Sequence, residues 1–143
     1  MERDPGVRPG LLRRLACMLY EALLLVGVLA LTFMLPHLAI GMGLNAVMPG
    51  WFLALHVFVV LGAYFLWYWH HGGQTLAMQT WRIRLTTTSG DKPSLARLAL
   101  RYLLAWPSVT YFGAGLIWAL LDRDRQFLHD LLACTRIEFK DSV

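Results

Sequence analysis

Hydrophobic positions in this chain fall into long unbroken runs rather than into the short periodic stretches of a water-exposed domain. The run from Leu15 to Leu35 contains one charged residue, Glu21. At 1.5 Å per helical residue it reaches about 30 Å, the thickness of a bilayer's hydrocarbon core. A second run, Trp51 to Trp69, carries no formal charge, and His56 is its one strongly polar position. Between them, Pro36 to Gly50 holds Pro36, Gly41, Gly43, Asn45, Pro49 and Gly50, the residues of a tight exposed connection. The two runs predict a transmembrane helical hairpin, with spans at about 15–35 and 51–69.

A third segment, 98–121, is apolar from Tyr102 to Leu121 and is interrupted by Pro107. Proline removes a backbone donor and clashes with the preceding turn, so a kink or break is expected near Trp106. Gly113 and Gly115 follow. The segment is either one kinked span or two short helices that enter and leave on one side, a form that needs protein to cover its freed backbone groups. Two stretches show strand periodicity. Trp81, Ile83 and Leu85 alternate with Arg82, Arg84 and Thr86, and Ile137 and Phe139 alternate with Arg136, Glu138 and Lys140. Pairing would satisfy their edges beside lipid and would form a two-stranded ribbon on the inner membrane surface. The expected fold is an all-α membrane protein: a hairpin plus a third, Pro-kinked or re-entrant, apolar helix, with a short cytoplasmic ribbon. It forms a single domain, 1–143, with an interfacial tail, 122–143.

Composition agrees with that placement. The chain has 143 residues, of which 57% are hydrophobic and 15% charged, against roughly 25% charged in a soluble domain. A mean hydropathy of +0.51 excludes disorder. Arg3, Arg8, Arg13 and Arg14 precede the first run, and the Pro36–Gly50 connection has no Lys or Arg. The positive-inside rule then puts the amino terminus in the cytoplasm. Arg82, Arg84, Lys92, Arg97 and Arg101 follow the second run, and Arg123, Arg125, Arg136 and Lys140 lie in the tail. The charge bias favours a cytoplasmic tail, and Asp122, Asp124, Asp130, Glu138 and Asp141 count little by this rule. The net charge of +4 is accounted for by these flanking residues, so nucleic acid is not an expected partner and the lipid bilayer is. The first run is too long for a signal core and contains Glu21, so it is expected to remain as a span. Cys17 and Cys134 both fall near the reducing face, where no disulfide is expected. His70 and His71 are adjacent rather than spaced as metal ligands, and no metal or cofactor is expected. Trp67, Tyr68 and Trp69 suit a headgroup boundary.

Glu21 is the most informative residue. A carboxylate within hydrocarbon costs about 2.5 to 3.5 kcal/mol on insertion scales, so it should face the protein interior and have a partner. Arg14, almost two turns earlier, shares its face about 10 Å away, a separation that calls for a bridging group or water. Tyr64 should lie at the depth of Glu21 and can donate to it, whereas His56 lies too far toward the outer end. In the tail, "LDRDRQFLHD" (Leu121–Asp130) reads as an amphipathic interfacial helix with Asp122, Arg125, Gln126, His129 and Asp130 on one face.

Four segments carry a resemblance: "RRLACMLYEALLL" (Arg13–Leu25), "GGQTLAMQTWRIRL" (Gly72–Leu85), "LALRYLL" (Leu98–Leu104) and "LDRDRQFLHDLLACT" (Leu121–Thr135). In order and spacing the chain resembles the RDD family of small bacterial membrane proteins, named for one arginine and two aspartates. The resemblance implies that the arginine is Arg14, the first aspartate Glu21 and the second Asp130. Glu21 departs from the family's aspartate by one methylene, and Cys134 stands where the family usually has glycine. The resemblance further implies a multi-pass protein of the bacterial inner membrane in which transport is suspected, some members being linked to sodium/proton exchange, and it does not imply an enzyme.

The candidate functional residues are therefore Arg14, Glu21, Tyr64, His129 and Asp130. The expected role is transport by a homo-oligomer or with other membrane subunits, because two or three helices do not enclose a polar path. Glu21 would be its protonatable group, Arg14 would set the charge state of Glu21, and Asp130 with His129 would guard the cytoplasmic mouth. The alternative is a non-transporting scaffold whose polar residues fix helix packing. No nucleophile with a base, phosphate loop or metal set points to an enzyme.

Overall fold

The structure, a computed structural model, describes residues 8–111, 113–123 and 125–140. Arg3, Asp124 and Asp141, counted above among the flanking charges, lie outside the described residues. Helix α1 (Leu11–Leu29) runs through a π-helical turn (Ala30–Met34) into α2 (Leu35–Leu44), a continuous rod of 34 residues. The connection expected from Pro36 to Gly50 is therefore mostly helix, and only Asn45–Pro49 lies outside it. Pro36 sits in the first turn of α2, where a missing N–H is tolerated. The preceding π turn absorbs the change of register, with the Leu35 N–H bonded to the Ala30 carbonyl five residues back. Asn45, at φ 48°, then ends the rod in the left-handed conformation that asparagine tolerates.

Helix α3 (Gly50–Gly72) is the second candidate span and ends at Gly73, whose φ is 67°. A short helix, α4 (Leu76–Thr80), leads into strand β1 (Ile83–Thr87). Helices α5 (Leu95–Thr110), α6 (Ala114–Leu121) and α7 (Leu128–Leu132) follow, and β2 (Thr135–Phe139) closes the order. The predicted ribbon is present: β1 and β2 pair antiparallel, with Ile83 opposite Phe139 and Thr87 opposite Thr135.

Two local expectations are corrected. The helix does not break near Trp106, because α5 continues past Pro107 to Thr110. Proline forfeits only its own donor, and the Pro107 carbonyl still accepts the Tyr111 N–H at 3.1 Å, so one more turn forms. The reversal comes at Gly113, φ 68°, after which α6 meets α5 at 88°. Their crossing is close, since a Cβ on Gly115 would fall 1.5 Å from the Ser108 hydroxyl oxygen. The second correction concerns Leu121–Asp130, of which, among the described residues, only Leu121 at the end of α6 and the part from Leu128 onward are helical. The Asp122 carboxylate accepts the Gln126 N–H at 3.0 Å and Arg125 has φ 50°. That side-chain bond offers the backbone an alternative to helix, and a left-handed residue cannot continue one.

β2 pairs with β1, and the Arg13 guanidinium lies 5.0 Å above the Phe139 ring. The third apolar segment thus enters and leaves at the end of the hairpin where α1 begins, as the two-short-helix alternative has it. The apolar core collects at that same end, around Cys17, Trp69, Met78, Ile83, Leu98 and Tyr102. By contrast, α2 and the π turn bury no residue.

Candidate functional site

Arg14, Cys17 and Glu21 are the buried residues of α1, and their spacings of three and four place them on one face. Both oxygens of Glu21 are engaged. The Tyr64 hydroxyl of α3 donates to Oε1 at 2.6 Å, and the Thr75 hydroxyl donates to Oε2. Thr75 is also the N-cap of α4, accepting the Met78 N–H at 3.3 Å. One carboxylate thereby ties together α1, α3 and α4. Tyr64 is where depth along the helices placed it. Arg14 donates to the carbonyl of Arg125 and lies 5.1 Å above the Phe127 ring. Arg14 Nε is buried with no hydrogen-bond partner.

Asp130 is 1% exposed. Its partner is Arg101 of α5, whose Nε and Nη2 both lie 2.7 Å from Oδ1. The same guanidinium stacks 4.4 Å above the Trp69 ring, so the pair joins α7 to α5 and α3. Asp130 Oδ2 is buried without a partner. His129 lies beside it, with Nε2 3.7 Å from Asp130 Oδ1, Nδ1 3.2 Å from the Ser108 hydroxyl and its ring stacked on Phe127 at 5.6 Å. Burial lowers its pKa to about 4, overcoming the attraction of Asp130 and assisted by the repulsion of Arg101. His129 is consequently a neutral imidazole at pH 7.

These side chains meet around a cavity of about 340 Å³ between α1, α3 and α5. Arg14, Glu21, Arg101 and His129 line its polar end, and Leu25, Leu61 and Trp106 are among its apolar walls. Three of the five candidate residues, Arg14, Glu21 and His129, therefore share one space, while Tyr64 adjoins it through Glu21 and Asp130 through Arg101. No group of three or more metal-ligating side chains occurs among the described residues. Cys17 and Cys134 are free thiols. Cys134 adopts φ 53°, so the turn keeps the left-handed conformation natural to glycine and a side chain is carried there at a cost of about 1 kcal/mol.

Three members of the site were not anticipated: Thr75, Arg101 and Ser108. Arg101 had a signal, because it falls between Leu98 and Tyr102 on the buried face of α5, and a cation on an apolar face asks for a partner. Thr75 and Ser108 had none, since hydroxyls are common at caps and in helices. A second polar pair lies toward the other end of the hairpin, where the His37 and His56 rings meet at a 59° tilt with centroids 4.8 Å apart.

The RDD family model matches residues 8–134, and the chain belongs to the RDD family. Comparison with curated proteins and with solved structures finds no match.

Proposed function

We propose that this membrane protein takes part in transport across the bacterial inner membrane, with its amino terminus in the cytoplasm, and that the reaction is cation/proton exchange with Glu21 as the protonatable group. The observation that carries the reading is the placement of Glu21: a carboxylate within a span, 8% exposed, on the wall of a cavity it shares with Arg14, Arg101 and His129. Ionisable groups inside a membrane usually mark a solute or proton path. Each oxygen of Glu21 accepts a hydroxyl hydrogen bond. A proton arriving on either oxygen turns an acceptor into a donor, so the Tyr64 or Thr75 hydroxyl facing it must redirect its own hydrogen and accept instead. Thr75 caps α4, which leads into β1, and the change at Glu21 thus reaches the cytoplasmic ribbon.

One chain of this size encloses no continuous polar path, so the working unit is an oligomer or a complex with other membrane subunits. Exposed apolar side chains along the π turn and α2, such as Leu31, Leu38 and Met42, leave room for such neighbours. Cation-dependent proton flux in proteoliposomes tests the reading. Glu21→Gln should lower flux by about 100-fold or more, the size expected for loss of a general acid or base. Unchanged flux removes Glu21 from the mechanism.

A second reading, a non-transporting scaffold, is favoured by the number of elements that Glu21 and the Arg101–Asp130 pair join. It expects no flux from the purified wild-type protein and weaker association with a membrane partner when Arg82, Arg84 and Arg97 are replaced by Gln.

A further inference from the structure

His37 on α2 and His56 on α3 lie outside the site around Glu21, and both are half-buried. Six residues, about 9 Å, separate His56 from the start of α3, which puts the pair within the hydrocarbon yet close to the Asn45–Pro49 loop. Their other ring neighbours are apolar. Phe33 meets the His56 ring edge-on at 5.5 Å, and Phe52 lies 6.3 Å from His37. The π turn ends three residues before His37 and rotates the helix face that carries it.

The hydrogen bonding of the pair is incomplete. His37 Nδ1 lies 2.7 Å from the Phe33 carbonyl oxygen, which can only accept, so Nδ1 carries the proton and Nε2 of the neutral ring presents a lone pair. Among the described residues, no hydrogen bond reaches Nε2 of His37 or either ring nitrogen of His56. Two imidazoles in contact thus leave three nitrogens without partners, in a setting where an unsatisfied polar group is costly. A backbone carbonyl on one ring nitrogen is also how proteins orient a histidine whose other nitrogen ligates a metal. The ring spacing fits a shared ion. With each nitrogen about 2.0 to 2.1 Å from a metal, centroids 4.8 Å apart subtend about 100° at the ion, near the tetrahedral angle. A linear two-nitrogen ion would hold them about 6 Å apart.

We propose that His37 and His56 bind one divalent transition-metal ion of the zinc, cobalt or nickel class, through Nε2 of His37 and a ring nitrogen of His56. Imidazole suits these ions, whereas Mg²⁺ and Ca²⁺ prefer oxygen. Two protein ligands leave coordination positions open to water from the loop side, unlike a closed structural site. The bound ion fastens α2 to α3 where α2 buries no residue of its own. The inference does not rest on the transport reading, since a protein that moves no ion would hold the same metal.

Co²⁺ is the probe, because its visible absorption reports nitrogen ligation and low coordination number. The intact protein, without a polyhistidine tag, is titrated with Co²⁺ in detergent micelles. One ion per chain should bind with the intense visible bands of a four-coordinate site, displaced by Zn²⁺ and not by Mg²⁺. His37→Gln and His56→Gln should each weaken binding at least about tenfold, since loss of a group that only orients a ligand already costs about 10- to 100-fold. His70→Gln combined with His71→Gln, at the other end of α3, should leave binding unchanged. That pair is the control because His71 Nδ1 likewise lies on a backbone carbonyl, 2.9 Å from that of Trp67. His56→Phe keeps the ring packing and removes both nitrogens, and it serves if a glutamine variant does not fold. Zn²⁺ should raise the unfolding temperature of the wild type and not that of His56→Phe. Absence of Co²⁺ binding overturns the proposal, as does binding that survives loss of either histidine. Displacement by Mg²⁺, or loss of binding in the His70 and His71 variant, also overturns it.

Discussion

The two ends of the hairpin are built differently. Where α1 begins and α3 ends, two strands, three short helices and both buried arginines interlock, and Asp130, His129 and Thr135 are almost wholly covered. Toward the loop at Asn45–Pro49 the chain is apolar but uncovered: Leu38 is 54% exposed, Met42 76% and Val47 95%. The first end carries its own core, as a small water-soluble domain does. The other offers bare side chains that only lipid or another protein can cover. Hydrophobicity alone does not separate these cases, since both ends are rich in leucine. What separates them is whether the chain returns to cover what it exposes, and the third apolar segment returns only to the first end.

The sharpest way to break this contrast is to remove one charge from the covered end. Asp130→Asn leaves Arg101 buried without its counter-charge, and loss of one partner of a buried pair costs about 3 to 5 kcal/mol. Unfolding in detergent micelles should show a loss of that size, and a loss no greater than that of an outer-end variant would dissolve the contrast. Acid is the next lever. His129 has a pKa of about 4 in the folded protein against an unperturbed 6.5. Between those values the unfolded chain binds a proton that the folded chain does not, so stability falls as pH drops through that window. The loss reaches about 3 kcal/mol at its lower edge. His129→Gln should flatten this part of the profile, with hydrogen exchange at α7 and β2 as the local readout. The smallest effect belongs to the bare end: Met42→Ala should change the stability of the isolated chain by less than about 0.5 kcal/mol. A larger loss that depends on protein concentration would show that another copy covers it.

The sequence was most legible where one residue's chemistry decides its placement. A carboxylate in hydrocarbon must find a donor, and helical depth along two facing spans was enough to bring Tyr64 to Glu21. Alternation in 81–86 and 136–140 located both strands, although Trp81 and Arg82 fall in the turn before β1. Misreadings arose where a local breaker was outweighed. Pro36 and Pro107 each signal an interruption, but a π turn accommodates the first and a following turn of helix survives the second. The opposite error came in 121–130, where good spacing was defeated by the Asp122 side chain and a left-handed Arg125. The Arg101–Asp130 pair was not legible, because it depends on α5 folding back against α7, a tertiary fact with no local period.

The bond from Arg14 to the Arg125 carbonyl joins positions 111 residues apart, and this has a consequence for how the protein is made. Ribosomes add about 5 to 20 residues per second, so roughly 5 to 20 s pass between the synthesis of these two partners. Phe127, Asp130 and β2 are all made later still. The covered end is therefore completed last, and until then Arg14 lacks the carbonyl partner that holds it in the finished fold.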